Sequence, residues 1–332
     1  MRLLDGFAAA IGNTPLIRIR SLSEATGCEI LGKAEFMNPG GSVKDRAALS
    51  ILDAAERSGA LRPGGTVVEG TAGNTGIALA LLCHARGSRA LIVMPDNQSP
   101  EKYQALEALG VELRAVKAVP YADPNHYQRV AGRLAAETPG AIWANQFDNV
   151  ANRDGHYATT GPEIFRDTGG RIDAFVAATG TGGTLGGTAR FLKEQKPSIR
   201  IVLADPQGSA LLNWVQTGEL KANGPGSITE GIGIGRVTAN LAGTPIDAAV
   251  SIPDTEAVTT VYRLLHHDGL FLGSASGVNV AAAVRVARDL GPGHTVVTIL
   301  CDGGARYQSR LHSRSWLAEK GLLEAADAGR RP

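Results

Sequence analysis

The feature that most constrains the fold of this chain is a regular alternation of short apolar segments with segments of helical period. The predicted strands are residues 16–19, 29–36, 66–69, 89–94, 111–116, 141–144, 172–178, 199–204 and 294–300. The predicted helices are residues 45–58, 75–86, 99–109, 125–137, 157–168, 184–195, 208–217, 256–268 and 277–290, with one more near the C-terminus. Strands joined by helices form mainly parallel sheets with helices on both faces. Because 332 residues suffice for about two domains, the sequence predicts an α/β protein of two three-layer α/β/α domains with a cleft between them.

Charge and cysteine content argue against several classes of function. A formal net charge of +1 gives no electrostatic reason to expect a nucleic acid or a membrane as partner. The apolar runs fall short of the roughly 18 residues that a membrane-spanning helix needs. The cysteines Cys28, Cys83 and Cys301 lack the short spacing of a zinc site or a disulfide framework. We therefore expect no metal site and a reducing, cytoplasmic location.

A turn leads directly into a helix start between Asn38 and Arg46, where the sequence is Asn-Pro-Gly-Gly-Ser-Val-Lys-Asp-Arg. Asn-Pro and Gly-Gly are turn signals, and Ser42 with Asp45 has the spacing of a capping box. Lys44 would then lie in the first helical turn, where the helix dipole disfavours an ammonium ion. Since a free amine is what forms a Schiff base, Lys44 is a candidate catalytic residue. The plainer alternative is a surface lysine after a glycine turn. It is disfavoured only if the rest of the chain supplies a site in which a reactive amine has a role.

Parallel sheets bind their ligands at the carboxyl ends of their strands. Three glycine-containing loops lie at such positions, each directly before a predicted helix. The loop 69–76 combines backbone amides with the polar side chains of Thr71, Asn74 and Thr75, which suit a carboxylate. The loop 180–184, Gly-Thr-Gly-Gly-Thr, lets a phosphate approach the backbone closely. In the loop 273–277, Ser276 is placed either as a helix N-cap or as a neutral partner for a ligand ring. A plain capped turn is the alternative for the first and third loops.

Together these features match one cofactor. Leu185 stands where a dinucleotide fingerprint needs glycine or alanine, so the second loop favours a single phosphate. A lysine amine, a monophosphate cradle, a carboxylate cradle and a neutral polar group are what a pyridoxal 5'-phosphate enzyme acting on an amino acid requires. The sequence therefore predicts pyridoxal 5'-phosphate as cofactor and a small amino acid as substrate.

On these residues the chain resembles the cysteine synthase (O-acetylserine sulfhydrylase) and cystathionine β-synthase family, of the tryptophan synthase β-type fold. The resemblance extends from Gly12-Asn-Thr-Pro-Leu16 to Cys301-Asp-Gly-Gly-Ala-Arg-Tyr307, and the motif around Lys44 is highly specific. It implies a fold-type II enzyme with the cofactor in the interdomain cleft. A small, mobile, substrate-side domain would comprise residues 41–150. A large domain of residues 1–40 and 151–332 would hold the cofactor's phosphate.

The resemblance also implies roles for individual residues. Lys44 would hold the cofactor and move the substrate's α-proton. Phosphate binding is implied for Gly180, Thr181, Gly182, Gly183 and Thr184, ring contacts for Asn74 and Ser276, and substrate contacts for Thr71, Ala72, Gly73, Thr75, Gln146 and Gly231. A neutral serine at the pyridine nitrogen suits β-elimination and β-replacement rather than transamination.

The implied reaction is β-replacement that makes L-cysteine from an O-activated serine (O-acetylserine) and sulfide or another thiol, through an aminoacrylate. The family also implies a homodimer. An L-cysteine desulfhydrase or a cystathionine β-synthase-like enzyme is an alternative, because Ala72 stands where the family usually has serine. Two further departures from the family are Gly303, also at a usual serine position, and the segment 96–102, which differs from the commoner Ser-x-Glu-Arg pattern. A non-catalytic binding or regulatory protein is the alternative of another class. The intact lysine and phosphate loop argue against it.

Overall fold

The computed structural model describes residues 3–331, so residues 1, 2 and 332 of the predicted large domain lie outside the described range. The strands are β1 (Leu16–Arg18), β2 (Glu29–Ala34), β3 (Thr66–Gly70), β4 (Arg89–Pro95), β5 (Glu112–Val116), β6 (Ala141–Trp143), β7 (Ala174–Ala178), β8 (Arg200–Pro206), β9 (Ala248–Ile252) and β10 (Thr295–Leu300). The helices are α1 (Gly6–Ala9), α2 (Arg20–Thr26), α3 (Lys44–Arg57), α4 (Asn74–Arg86), α5 (Pro100–Ala108), α6 (Tyr127–Glu137), α7 (Ala151–Ala158), α8 (Thr160–Asp167), α9 (Gly183–Gln195), α10 (Leu211–Thr217), α11 (Asp254–Asp268), α12 (Ser274–Leu290), α13 (Arg314–Glu319) and α14 (Leu323–Gly329). Short 3₁₀ turns cover Glu35–Met37 and Gly304–Tyr307.

These strands form two separate sheets. The six-stranded sheet has the order β1-β2-β10-β7-β8-β9, and the four-stranded sheet has the order β5-β4-β3-β6. Every pairing is parallel except that of β1 with β2. The predicted α/β class with mainly parallel sheets is therefore confirmed. Because β10 pairs with β2 and brings Leu300 beside Ala34, the segments that follow these two strands leave the sheet together.

Apolar side chains cover both faces of each sheet. In β10, Val296 packs with α12 on one face, whereas Val297 packs with α9 on the other. In the smaller sheet, Ile92 packs with α3 and α4, whereas Val93 packs with α6. This alternation, which follows from the period of two in a strand, gives each sheet two helical layers, as predicted. Within the described residues no helix is both long and apolar enough to cross a bilayer.

Several local predictions were wrong. The helix expected over 157–168 is two helices, α7 and α8, which meet at Thr159 in a non-helical conformation with φ −127° and ψ −64°. The edge strand β9 and the short helices α1 and α2 were not predicted. Ser42 caps the start of α3 as predicted, since its Oγ accepts from the Lys44 amide at 3.2 Å, although the regular helix begins only at Lys44. The return contact from Asp45, which a capping box needs, is not formed. Asp45 instead accepts a hydrogen bond from the Gly40 amide at 2.5 Å.

Candidate active site

A cavity of about 480 Å³ lies where the two sheets face each other. Its lining includes residues that directly follow strands of both sheets: 71–75 after β3, 97–98 after β4, 118–119 after β5, 146–147 after β6, 180–181 after β7 and 301–302 after β10. The carboxyl ends of parallel strands are where such sheets bind ligands. The cavity is therefore the candidate active site.

Lys44 lies half-buried at the first position of α3 and lines this cavity. The start of the helix is fixed against the end of β10, because the Val43 amide donates to the Cys301 carbonyl oxygen at 2.9 Å. Lys44 also lines a small adjoining pocket that includes Gly182 and Thr184 of the phosphate loop. One amine thus faces both predicted anion cradles.

The phosphate loop has a backbone that only glycine permits at several points. Gly182 has φ +82°, in the left-handed region. A Cβ on Gly180 would overlap the carbonyl oxygen of Gly231, and a Cβ on Gly183 would overlap the side-chain oxygen of Asn152. The Gly183 amide donates to Thr181 Oγ1 at 3.3 Å, whereas the next amides of α9 have no acceptor within their own helix and are left for an anion. The loop therefore fits the phosphate of the predicted cofactor.

Helix α7 holds the two threonines of this loop from behind. Asn152 Nδ2 lies 2.9 Å from Thr181 Oγ1. One helical turn later, His156 Nε2 lies 3.2 Å from Thr184 Oγ1 and its Nδ1 lies 2.8 Å from Thr160 Oγ1. Burial, with nearby positive charges, lowers the pKa of His156 well below its usual value, so the ring is neutral. Neither Asn152 nor His156 was predicted as part of the site, because the predicted helix began at residue 157 and so did not place the two on one helix face.

The predicted substrate loop follows β3. Thr71 Oγ1 accepts from the Gly73 amide at 3.0 Å, and Thr75 Oγ1 donates to Gln146 Oε1 at 2.6 Å. Thr71 and Gln146 are both buried, which fixes the shape of the loop. Ala72 lines the cavity between them with a methyl group where a hydroxyl would supply a further donor.

Lys102 and Glu230 both line the cavity and form a buried ion pair next to this loop. Lys102 is 2% exposed, and its Nζ lies 2.5 Å from Glu230 Oε2. Gly73 has φ +130°, and a Cβ there would lie 2.5 Å from Lys102 Cδ. Glu230 also accepts from Arg310 Nη1 at 2.8 Å and precedes the cavity residue Gly231. Lys102 therefore connects the substrate loop with the segment on the opposite wall.

Asn74 is held by two side chains from the end of the large sheet. Its Nδ2 donates to Asp302 Oδ2 at 2.7 Å, and its Oδ1 accepts from Arg306 Nη1 at 2.6 Å. The hydroxyl of Tyr307 donates to the same Asp302 oxygen at 2.6 Å. The amide orientation is thereby fixed, and one Nδ2 hydrogen is left for a ligand. These partners belong to the 301–307 motif, but their contact with Asn74 was not predicted.

Ser276 lies within the first turn of α12, which begins at Ser274, so it is not the N-cap of that helix. Its buried Oγ accepts from the Cys301 amide at 2.9 Å. The Ser276 O–H is consequently free to donate, as a neutral ring nitrogen requires.

Burial raises the pKa of the Cys301 thiol to about 12, so this thiol is neutral beside the cavity.

The structure brings most of the predicted site residues to one place. The cavity lining contains Lys44, Thr71, Ala72, Gly73, Asn74, Thr75, Gln146, Gly180, Thr181 and Gly231. Gly182 and Thr184 line the adjoining pocket, whereas Gly183 and Ser276 line neither space. The polar residues around the site to which the sequence gave no role include Asn152, His156, Lys102, Glu230, Asp302 and Arg306.

Comparison with known proteins gives consistent matches. The family described as "Pyridoxal-phosphate dependent enzyme" matches residues 7–302. The chain is 55% identical over 327 residues to "Cysteine synthase 1" of Neurospora crassa, covering 97% of this chain and 87% of that relative. An O-acetylserine dependent cystathionine beta-synthase from Helicobacter pylori has a similar structure, with TM-score 0.84, 33% identity, and coverage of 93% of this chain and 99% of that chain. A hydrogen sulfide-producing enzyme from Fusobacterium nucleatum is similar too, with TM-score 0.84, 32% identity, and coverage of 92% and 100%.

Proposed function

This chain belongs to the pyridoxal-phosphate-dependent enzyme family, and from that premise we propose that it makes L-cysteine by β-replacement on O-acetylserine with sulfide. The observation that carries the proposal is that Lys44 shares one cavity with a phosphate cradle and a carboxylate cradle. Its 55% identity to a cysteine synthase over nearly the whole chain supports this choice of reaction.

Each part of the site has a task in this reaction. The bound pyridoxal phosphate supplies an electron sink that stabilises negative charge at the substrate's α-carbon. Lys44, which lines the cavity, holds the cofactor and moves the α-proton. The Thr71 hydroxyl, whose hydrogen is not used within the loop, binds the substrate carboxylate together with the amides at the start of α4, including that of Thr75. Ser276, whose O–H is free, would donate to the ring nitrogen and leave it neutral, which would limit the sink and favour β-replacement.

We further propose that residues 41–150 form a small mobile domain that closes over the cleft and excludes water. Several of its contacts with residues 301–331 are polar. Ser99 Oγ donates to the Arg306 carbonyl oxygen at 2.9 Å, and Glu101 accepts from Ser309 at 2.6 and 2.8 Å. Polar contacts of this kind can exchange with water when the cleft opens.

A cytoplasmic location and a homodimer complete the proposal. Cys28, Cys83 and Cys301 are all free, which suits a reducing compartment. The dimer is proposed from the family. Light scattering on the purified protein tests it, because a mass of 34.5 kDa would show a monomer instead.

The first test is a visible spectrum of the purified protein with O-acetylserine and then with sulfide. We expect O-acetylserine to change the cofactor's absorption, and sulfide to restore it with release of cysteine. Breakdown of cysteine without a response to O-acetylserine would instead favour a desulfhydrase. A preference for homocysteine would favour a cystathionine β-synthase. If added cofactor produced no band of bound cofactor, the protein would not be an enzyme of this class.

The Lys44→Ala variant is the matched loss-of-function test. We expect it to lower turnover by more than about a thousandfold, because it removes the amine that holds the cofactor and moves the proton. The control is Lys221→Ala, which removes an exposed lysine and should leave turnover unchanged. Comparable activity in the two variants would contradict the role of Lys44.

A further inference from the structure

Helix α7 packs unusually close to the start of α9, directly behind the phosphate loop. A Cβ on Gly187 would overlap the Arg153 carbonyl oxygen and lie 2.8 Å from His156 Cβ. This close approach places Asn152 and His156, one turn apart on α7, against Thr181 and Thr184. Both contacts involve threonine hydroxyls, whose direction decides whether they can bind an anion.

Asn152 determines the direction of the Thr181 hydroxyl. Thr181 Oγ1 accepts from Asn152 Nδ2 at 2.9 Å and from the Gly183 amide at 3.3 Å. The same Nδ2 donates to the Gln146 carbonyl oxygen at 2.8 Å, which fixes the end of the amide that faces Thr181. With both acceptor positions of Oγ1 used, the hydroxyl hydrogen of Thr181 is free to donate.

His156 can do the same for Thr184 in only one of its neutral forms. A neutral imidazole has one N–H donor and one acceptor nitrogen. If Nδ1 carried the hydrogen, Nε2 would accept from Thr184, and Thr184 could turn only lone pairs toward a phosphate. If Nε2 carries the hydrogen, Nε2 donates to Thr184 and Nδ1 accepts from Thr160. The Thr184 hydroxyl hydrogen is then available to a phosphate oxygen.

We propose that His156 is a positioning residue that is held with its hydrogen on Nε2 and that, with Asn152, makes both loop threonines donors to the cofactor's phosphate. The chain of donors is Thr160 to His156, His156 to Thr184, and Thr184 to phosphate. These three hydrogen bonds disfavour the tautomer with its hydrogen on Nδ1. In that tautomer Thr184 would donate to His156 and turn a lone pair toward a phosphate oxygen, which is itself an acceptor. The inference rests on cofactor binding within the proposed function, but not on which leaving group or thiol reacts.

The direct test is nitrogen NMR on cofactor-loaded protein labelled with ¹⁵N-histidine, in which His156→Gln identifies the His156 signals by their loss. We expect Nε2 of His156 to resonate as a protonated nitrogen and Nδ1 as an unprotonated one at neutral pH. The reverse assignment, or a doubly protonated ring, would overturn the proposal.

The second test is a double-mutant cycle on cofactor affinity with His156→Leu and Thr184→Val. We expect each single variant to weaken pyridoxal phosphate binding about tenfold, as the loss of one hydrogen bond to a charged group does. The double variant should bind nearly as well as Thr184→Val, since His156 acts through Thr184. Losses that multiply would show that the two residues act independently and would overturn the proposal.

Two controls separate positioning from structural damage. Pyridoxal, which lacks the phosphate, should bind His156→Leu and wild type equally well, whereas a damaged pocket would bind both ligands less. The variant His84→Leu, at an exposed histidine, should change neither affinity. If His156→Leu does not fold, Thr160→Val replaces it in the cycle. That variant should weaken phosphate binding and mix the two His156 tautomers, and an unchanged tautomer would count against the proposal.

Discussion

The Glu163→Gln substitution tests the buried ion cluster that supports the start of α3, close to Lys44. Glu163 is 6% exposed, and its carboxylate accepts from Arg46 at 2.7 and 2.8 Å. Its Oε2 also lies 2.8 Å from the Nζ of Lys33, a fully buried lysine. Burial alone would raise the pKa of Glu163, but Arg46 and Lys33 lower it from 4.5 to about 2.

The lowered pKa of Glu163 sets the expected loss in the free energy of unfolding. A carboxyl group with this lowered pKa contributes about 3 kcal/mol to the free energy of unfolding at neutral pH. Glutamine cannot carry the charge and leaves two buried cations short of a partner, a change that costs about 3–5 kcal/mol in other buried pairs. Because the folded pKa lies below the unfolded one, the contribution is full above about pH 4.5 and is lost as the pH falls toward 2.

Thermal unfolding of the cofactor-saturated protein, followed by circular dichroism, is the measurement. At pH 7 we expect the midpoint of Glu163→Gln to fall by about 5 °C, and the deficit to shrink at pH 3.5. The control Glu112→Gln removes one member of a surface pair with Arg114, whose side chains are 59% and 51% exposed, and it should change the midpoint by less than about 1 °C. A wild-type midpoint for Glu163→Gln at pH 7, or a deficit that does not change with pH, would refute the reasoning.

Three further changes test other parts of the site. Gly183→Ala should weaken pyridoxal phosphate binding at least about tenfold, since its methyl group would overlap an α7 side chain, whereas Gly235→Ala, whose methyl group meets open space, should leave the Kd unchanged. Lys102→Met should raise the KM for O-acetylserine more than it lowers kcat, because it breaks the buried pair with Glu230 but leaves Lys44 in place; a loss confined to kcat would contradict this. Burial raises the pKa of Glu69 to about 8, so the folded state holds its proton and loses stability as the pH rises from about 4.5 to 8. Glu69→Gln should therefore flatten the fall in unfolding midpoint between pH 5 and pH 8, and an unchanged slope would exclude Glu69 as its source.

Local sequence signals predicted most strands of the two sheets and the loops of the site. They did not predict the edge strand β9 or the break between α7 and α8. The alternation of strands and helices gave the class and nearly all of the strand positions, because buried parallel strands are continuous apolar runs. It did not give β9, where Ala248 and Ala249 carry little apolar signal at the edge of the sheet. It also merged α7 with α8, since the break at Thr159 carries no glycine or proline signal.

Local sequence patterns could not predict which side chains pair across the cavity. Asn74 was a candidate from its loop alone, yet Asp302, which orients it, lies 228 residues away in the sequence. Lys102 belongs to a segment that departs from the family pattern, but only the fold shows that it pairs with Glu230. A glycine that must take an unusual φ is constrained by its own backbone, whereas a buried polar partner depends on which helices pack together.

The substrate loop shows what this distinction means for the reaction. Ala72 offers no hydroxyl, so the side-chain donor that remains in this loop for a carboxylate is Thr71, alongside the loop amides. Gly73 in the same loop has φ +130° and fits against Lys102 only because it has no Cβ, which would lie 2.5 Å from Lys102 Cδ. The charge of Lys102 is in turn held by Glu230 on the opposite wall. One buried ion pair therefore joins the loop proposed to bind the substrate carboxylate to the segment around Glu230, which also lines the cavity.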